Sequence, residues 1–329
     1  MQLTNKHNIP LLIAVYLGTD NYDHKEAGLS ATTLIKPIRQ IILGQRSQEE
    51  VELPTDVMSN FHSAIGSSIH EGIEKSLTNP KKVLKALGHP KSVYKNILLN
   101  PTEEDIQNNP KGIPIYCENR SFKMFKVNGE EIKLSGKYDF VVEGVVTDVK
   151  NTTAYVYEKS VNSEEYSLQG SIYRVLNPEI ITEDYIDINF IIRDWAKYNT
   201  YRENYPPLAV VSKRYPLKSI EETINFIESK MKLILDNLET PEEDLPLCTP
   251  EDLWQDETTY KYYSKATNTR ATKNFTDHTQ AVARFEKDGS TGVIKTVEGQ
   301  AKACNYCPGF HLCSQKDSLI EAGTLTISD

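Results

Sequence analysis

Two strand-like segments joined only by Glu143-Gly144 constrain the fold of this chain more than any other feature. The first runs from 131 to 142 and the second from 145 to 151. Apolar and β-branched residues flank a two-residue link that contains glycine, which is typical of a β-hairpin. The sequence therefore predicts two neighbouring antiparallel strands in the middle of the chain.

Helix-like segments flank this hairpin on both sides. Apolar residues recur every four positions over 56–78, and a second helix is predicted from Ser163 to the residue before Pro178. Further strands, buried or nearly so, are predicted at 186–192 and 208–211, before a long helix with a Ser219/Glu222 capping box. This order predicts an α/β fold in which helices pack against a sheet, followed by an irregular C-terminal region.

The hairpin carries charged residues at regular spacing. Asp139 lies near the end of the first strand, and Asp148 and Lys150 are two residues apart on the second, so they point to one face while Val149 points to the other. Two carboxylates and the Val149 carbonyl form an all-oxygen ligand set suited to Mg²⁺ or Mn²⁺, and Lys150 can hold or activate a water. The alternative is a surface hairpin with a salt bridge.

Polar residues on the two flanking helices can join this site. His70 lies beside the apolar stripe of the first helix and can supply a nitrogen ligand to the same metal. Gln169 and Tyr173 lie four residues apart on one face of the second helix, where they can contact phosphate, sugar or Lys150. Ordinary amphipathic helices with a satisfied histidine would also give this pattern.

The order of these residues resembles the RecB-like branch of the PD-(D/E)XK nuclease superfamily. The matching pieces are His70, Gly136 to Asp139, Asp148 to Lys150, and Gln169 to Tyr173. The resemblance covers about residues 55–215 and implies a restriction-endonuclease-like fold, with a mixed central sheet flanked by helices. It also implies that His70, Asp139 and Asp148 bind the metal, and that Lys150 is catalytic.

The chain has five cysteines, namely Cys117 and, toward the C-terminal end, Cys248, Cys304, Cys307 and Cys313. The last three have the spacing C-x₂-C-x₅-C, which is typical of a zinc site or an iron–sulfur cluster. Cys248 is the natural fourth ligand, since Cys117 lies near the predicted active-site strands. Spacing alone does not distinguish zinc from iron and sulfide, and unligated thiols are the alternative to both.

The cysteine segment, from Cys304-Asn305-Tyr306-Cys307-Pro308 to Cys313, is similar to the iron–sulfur tail of AddB-type helicase–nucleases and CRISPR-associated RecB-like exonucleases. That resemblance implies a 4Fe–4S cluster. In those families the fourth cysteine lies far upstream, whereas Cys248 follows the predicted nuclease core. Segments near Ser30, Arg39-Gln40, Trp254 and Arg270 also resemble phage-encoded nucleases of this class.

Charge and hydropathy bear on the partners. The net charge of −9 argues weakly against nucleic acid, yet a local stretch between 260 and 287 combines basic residues with tyrosines, as suits a nucleic-acid strand. A solvated surface would give the same composition.

The apolar run Leu11 to Leu17 is too short to span a bilayer, and no signal-peptide cleavage site follows it, so we expect a cytoplasmic protein with no membrane partner.

Together these features predict a metal-dependent DNA exonuclease that acts in phage or bacterial replication, repair or recombination. We expect DNA ends or single strands as its substrate, and recombination or replication proteins as possible partners. The predicted organisation is an N-terminal helical segment (1–54), a nuclease core (55–215) and a C-terminal helix with the iron–sulfur region (216–329), within one compact unit. The alternatives are a non-catalytic DNA-end-binding module and a redox sensor built on the cluster.

Overall fold

In the computed structural model, Glu143-Gly144 forms the tight turn that the sequence predicts. Both residues have positive φ angles, 48° and 85°, which match the right-handed twist of the strands that they join. The strand before the turn pairs antiparallel with the strand after it, with Phe140 opposite Thr147 and Val142 opposite Val145. The prediction of a central hairpin is confirmed.

The structure describes residues 3–19, 29–50 and 54–327, with the side chains of 48–50 excepted. These residues belong to two compact units. The first unit contains residues 1–35 and 52–232, and the second contains 36–51 and 233–329. The segment predicted as an N-terminal region (1–54) is therefore divided between the two units.

The β-strands of the described residues lie as follows. In the first unit they are β1 (Leu3–Thr4), β2 (Leu29–Ser30), β3 (Thr55–Asp56), β4 (Ile97–Leu99), β5 (Ile113–Cys117), β6 (Arg120–Val127), β7 (Glu130–Lys137), β8 (Phe140–Val142), β9 (Val145–Thr152), β10 (Tyr185–Ile192) and β11 (Val210–Pro216). In the second unit they are β12 (Thr259–Tyr263), β13 (Lys273–Phe275) and β14 (Val293–Val297).

The α-helices are numbered in chain order. They are α1 (Leu11–Gly18), α2 (Ala31–Leu34), α3 (Ile38–Glu50), α4 (Phe61–Leu77), α5 (Lys81–Ala86), α6 (Lys91–Tyr94), α7 (Glu103–Asn108), α8 (Ala154–Lys159), α9 (Ser163–Leu176), α10 (Ile220–Asn237), α11 (His278–Lys287) and α12 (Ser314–Glu321). The capping box predicted for α10 is present, since Ser219 and Glu222 each accept the other's backbone N–H. Among the described residues, no helix is long and apolar enough to cross a membrane.

The first unit is built on a six-stranded sheet in the order β11-β10-β9-β8-β5-β4. Strands β9 and β10 are parallel, as are β4 and β5, and the other neighbours are antiparallel, so the sheet is mixed. Helix α4 packs apolar residues on a buried cluster formed by Ile115, Cys117, Phe140 and Val149. The prediction of a mixed α/β fold flanked by helices is confirmed.

One predicted strand is two strands in the structure. The segment 131–142 is divided at Tyr138-Asp139 into β7, which belongs to a three-stranded sheet with β2 and β6, and β8, which belongs to the six-stranded sheet. The partner strands β5 and β6, which the sequence analysis did not identify, change sheets at the same level, at Glu118-Asn119. Glu118 has a φ of 52° and donates its N–H to the Asp139 carbonyl. The two chain segments therefore bend together at one corner.

Two other predictions for the second half of the chain are wrong. Strand β11 begins at Val210, and Leu208 and Val210 are exposed, so the segment 208–211 is not buried. The region after α10 is not irregular, because it contains the three-stranded sheet β13-β12-β14 and helices α11 and α12. Short strands separated by Gly and Asn turns give little periodicity, which explains why the sequence did not reveal them.

Replacing Gly136 with alanine should destabilise the first unit by about 1–3 kcal/mol, because the added methyl group overpacks the contact between β7 and α9. The new Cβ would lie 2.5 Å from Leu176 Cδ1 and 3.0 Å from Tyr173 Cδ1. Urea unfolding measures the change. Gly72→Ala is the control, since Gly72 on exposed α4 has no atom within 4 Å of the new Cβ and should be neutral or slightly stabilising. Equal stability of the Gly136→Ala variant and the wild type would contradict this packing.

Candidate metal centre and cysteine site

The corner between the two sheets of the first unit brings two carboxylates together. Glu118 lies at the β5–β6 corner and Asp139 at the β7–β8 corner, and the backbone hydrogen bond between them is 2.8 Å. The Asp139 carboxylate accepts the Val149 N–H at 2.9 Å, which fixes it beside β9. Lys137 forms an ion pair with Glu118. The fold thus places the carboxylates of Glu118 and Asp139 at the corner where the chain passes from one sheet to the other.

His70 of α4 lies against this corner. Its Nδ1 is 3.3 Å from Glu118 Oε1, and its Nε2 is 3.4 Å from Asp139 Oδ2 and 3.1 Å from the Val149 carbonyl oxygen. The structure therefore brings together three members of the predicted ligand set, namely His70, Asp139 and the Val149 carbonyl. Gly66, one turn earlier on α4, has open space around it.

Asp148 and Lys150 lie on the same face of β9, as strand alternation predicts. Lys150 Nζ is 3.0 Å from Asp148 Oδ1 and 2.8 Å from Oδ2, and Asp148 is only 3% exposed. Burial lowers the pKa of Lys150, but the neighbouring Asp148 carboxylate outweighs it, so the net shift is upward. Lys150 is therefore a cation held by Asp148, and its Nζ also lies 5.9 Å from the centre of the Tyr166 ring.

Glu118 is the residue of this site that the sequence analysis missed. Among the described residues, His70, Glu118 and Asp139 are the only three His, Cys, Asp or Glu side chains whose ligand atoms all lie within 4.8 Å of one another. Glu118 lies between two strands that the sequence did not reveal, and no motif marks it. Glu118 has a positive φ, which helps to place its carboxylate beside His70, and a positive φ at a glutamate cannot be recognised from the sequence.

The donor set fits a hard divalent cation. Glu118 Oε1 and Asp148 Oδ2 are buried, and each faces one cationic group, His70 Nδ1 at 3.3 Å and Lys150 Nζ at 2.8 Å. Several carboxylates buried this close together are costly unless cations compensate their charge, and a metal ion at this position would do so. Two or three carboxylates, one imidazole and one carbonyl match the ligands of Mn²⁺ or Mg²⁺.

The site shifts the pKa values of its own groups. The carboxylate of Glu118 raises the pKa of His70 from 6.5 to about 9, with a further contribution from Asp139. Burial and then the charge of Asp148 raise the pKa of Asp139 to about 7. Without a metal the site therefore retains protons, which a bound cation would displace.

In metal-free protein, the free energy of unfolding should fall as the pH rises through about 9. Because the folded state raises the pKa of His70 above its ordinary 6.5, its contribution is complete below pH 6.5 and lost as pH rises through about 9. The loss is at most about 3 kcal/mol. Urea unfolding of wild type and His70→Gln in EDTA measures it, and the two curves should converge at high pH. Parallel curves would mean that His70 is not the titrating group.

Gln169 and Tyr173 lie in the interior. Gln169 donates to the Tyr173 hydroxyl at 2.9 Å, and the two residues are 8% and 4% exposed. Tyr173 also packs against Gly136 and the Tyr138 ring. This geometry supports a role in holding α9 against the corner strands, whereas direct contact with substrate stays a prediction.

The four cysteines of the predicted cluster line one pocket in the second unit. Cys248, Cys304, Cys307 and Cys313 share it with α3 residues Arg39, Gln40 and Leu43. Gln315 fixes Cys248 by two hydrogen bonds, from the Cys248 N–H at 2.9 Å and to its carbonyl at 2.8 Å. Burial, then Asp252 and the other thiols, raise the pKa of Cys248 to about 12, so a metal must displace a proton to bind it.

The spacing of these sulfurs bears on the kind of centre. No three of them lie within 4.8 Å of one another in the part of the chain that the structure describes. Tetrahedral zinc, with Zn–S bonds of about 2.3 Å, holds its thiolates roughly 4 Å apart. An iron–sulfur cluster holds them farther apart, because iron and sulfide lie between them. In this structure the four sulfurs are therefore spaced more widely than one tetrahedral zinc ion holds its thiolates.

Cys117 lies outside this pocket. It is 4% exposed in the apolar cluster under α4, and burial raises its pKa to about 11. The thiol of Cys117 is therefore an apolar core group in the first unit.

The basic and aromatic stretch folds as β12, β13 and α11 of the second unit. Tyr262 is fully buried, so it cannot stack on a base. Tyr260 contacts His278 edge to face at 4.9 Å, and Lys295 Nζ lies 5.2 Å from the Tyr263 ring centre. The exposed cations of this stretch are Lys265, Arg270, Lys273 and Lys287. A surface for nucleic acid here stays a prediction.

Comparisons with known proteins add little. No family model matches the sequence, and no curated protein matches it. The crystal structure of SSO0001 is similar over 68% of this chain and 84% of that chain, with 15% identity and a TM-score of 0.40. A likeness at this level assigns neither fold nor function.

Proposed function

We propose that this chain is a Mg²⁺- or Mn²⁺-dependent deoxyribonuclease of the RecB-like PD-(D/E)XK type. One observation carries the proposal, namely the convergence of His70, Glu118 and Asp139 at one corner beside the Asp148–Lys150 pair. These residues come from helix α4, the β5–β6 and β7–β8 corners and strand β9. Gathering Glu118, Asp139 and Asp148 at one largely buried corner is costly unless cations compensate their charge, which a bound metal ion would do.

The side chains can divide the work of phosphodiester hydrolysis. Glu118, Asp139, His70 and the Val149 carbonyl would hold the cation, with Asp148 beside them. A bound divalent ion would polarise a phosphoryl oxygen and lower the pKa of water. Lys150 Nζ, positioned by Asp148, would place the attacking water and stabilise the charge that develops on the phosphoryl oxygens.

The proposal includes two finer features. One is a restriction-endonuclease-like arrangement of the mixed sheet around this corner. The other is a 4Fe–4S cluster held by Cys248, Cys304, Cys307 and Cys313, with a structural role in the second unit. The wide sulfur spacing and the shared pocket support the cluster.

Cleavage of end-labelled DNA tests the activity. Protein purified under anaerobic conditions is incubated with linear DNA and with a covalently closed circle of the same sequence, in Mn²⁺, Mg²⁺ or EDTA. An exonuclease degrades the linear DNA in either metal, leaves the circle intact and is inactive in EDTA. If the protein binds the linear DNA but cleaves it in neither metal, the result favours a non-catalytic end-binding module. If the protein neither binds nor cleaves the DNA, the proposal is overturned.

A further inference from the structure

Arg39 of α3 is a buried cation in the second unit, only 2% exposed. An arginine at such depth is costly unless every N–H and the charge are compensated. Arg39 Nη1 donates to the carbonyl oxygens of Glu242 and Leu245 at 3.1 and 2.9 Å, and Nη2 donates to Ser314 Oγ at 3.2 Å. These hydrogen bonds give partners to Nη1 and Nη2 of the guanidinium, but not to Nε.

The Nε–H of Arg39 points to a sulfur. It donates to Cys313 Sγ at 3.2 Å, and Arg39 lines the pocket that the four cysteines share. A neutral thiol is a weak acceptor, whereas a thiolate bound to iron carries the negative charge that suits a guanidinium. The arrangement is therefore better suited to a ligated Cys313 than to a free thiol.

Glu242 is the counter-charge of Arg39. Its carboxylate forms an ion pair with the guanidinium and accepts the Ser314 N–H at 2.9 Å and the Ser314 hydroxyl at 3.0 Å. Ser314 directly follows Cys313. The Arg39–Glu242 pair thus places one positive and one negative charge beside the same cysteine, with the positive charge in contact with its sulfur.

We propose that Arg39 and Glu242 set the reduction potential of the cluster, Arg39 raising it and Glu242 lowering it. This inference rests on the 4Fe–4S cluster of the proposed function, and it does not depend on nuclease activity. Both residues are positioning residues, because they act through Cys313.

The physical reason is the charge of the cluster. Reduction adds one electron, supplied by a one-electron reductant, and makes the cluster with its four thiolates more negative. An N–H donor and a positive charge at a ligating sulfur stabilise the reduced form more than the oxidised form, which raises the potential. A nearby carboxylate has the opposite effect, and burial of the pair limits screening by water and salt.

Three single-residue variants of the full chain test the proposal: Arg39→Gln, Glu242→Gln and, as control, Arg46→Gln. The control removes a cation from the same helix, where Arg46 donates to the Leu238 and Thr240 carbonyl oxygens and not to sulfur. Iron and sulfide contents are measured first. The cluster is then titrated with dithionite under anaerobic conditions, and its reduced form is followed by electron paramagnetic resonance.

At the wild-type midpoint potential, we expect the ratio of reduced to oxidised cluster to be at least about tenfold lower in Arg39→Gln, which corresponds to a shift of about 59 mV for a one-electron couple. Glu242→Gln should shift the potential upward, and Arg46→Gln should leave it close to wild type. Opposite shifts distinguish charge from packing, because damage to packing gives no reason for opposite signs.

The inference is overturned if both variants keep the wild-type potential or shift it in the same direction. If Arg39→Gln loses its cluster, Glu242→Gln decides: a raised potential supports the inference, and an unchanged one overturns it. A chain that contains zinc and no iron also overturns it, together with the cluster. The nuclease proposal is judged separately by the cleavage of end-labelled DNA.

Discussion

Lys150→Ala is expected to reduce DNA cleavage by roughly a thousandfold or more, a loss of about 4 kcal/mol or more of transition-state stabilisation. Lys150 Nζ is held between the two Asp148 oxygens at 3.0 and 2.8 Å, beside the corner with His70, Glu118 and Asp139. Asp148→Asn should be equally damaging, because it removes both the lysine's counter-charge and a buried anion next to the metal ligands. Single-turnover cleavage of end-labelled DNA in Mn²⁺ measures both effects.

A matched charge change on the neighbouring strand provides the control. Asp187 on β10 is paired with Arg214 at 2.9 and 3.1 Å, and the arginine side chain is 59% exposed. Exposed ion pairs contribute little, so Asp187→Asn should cleave within about twofold of wild type. Thermal unfolding shows whether each variant remains folded. Normal turnover by folded Lys150→Ala or Asp148→Asn would end the assignment of a nuclease site here.

Much of the candidate site follows from the sequence because strand alternation is a local rule. Asp148, Val149 and Lys150 required only the period of a β-strand, and the Glu143-Gly144 turn fixed which strand pairs with β9. The structure brings His70 within 3.1 Å of the Val149 carbonyl oxygen and within 3.4 Å of Asp139, as the order of motifs indicates. What these residues hold and catalyse stays a proposal.

The corner at which Glu118 and Asp139 meet is harder to predict from the sequence. A strand that leaves one sheet and enters another keeps its alternation, so 131–142 reads as one strand although it breaks at Tyr138-Asp139. Glu118 joins the site only through this bend, since its carboxylate meets His70 because β5 and β6 turn at the same level as β7 and β8. Contacts of this kind are set by tertiary pairing and leave no pattern in a single sequence.

Cys248→Ala is expected to cost the protein its cluster. Protein purified under anaerobic conditions should be brown and contain about four iron and about four sulfide per chain if the 4Fe–4S cluster is present. Cys248 lines the same pocket as Cys304, Cys307 and Cys313, and Gln315 fixes its backbone there by two hydrogen bonds. Without the fourth thiolate the cluster loses a ligand in a pocket that is only half-buried, so iron, sulfide and colour should fall together.

Cys117→Ala is the matched control, because it removes a thiol of the same size from the first unit. Cys117 packs with Ile115, Phe140 and Val149 under α4, so its loss should cost about 1 kcal/mol of stability and leave iron and sulfide unchanged. Colour kept in Cys248→Ala and lost in Cys117→Ala would overturn the choice of ligands. A colourless wild type with one zinc per chain would overturn the cluster and leave a four-thiolate site.

Because His70, Glu118 and Asp139 belong to the first unit and the four thiolates to the second, loss of the cluster should lower the melting temperature before it changes the Mn²⁺ requirement for cleavage.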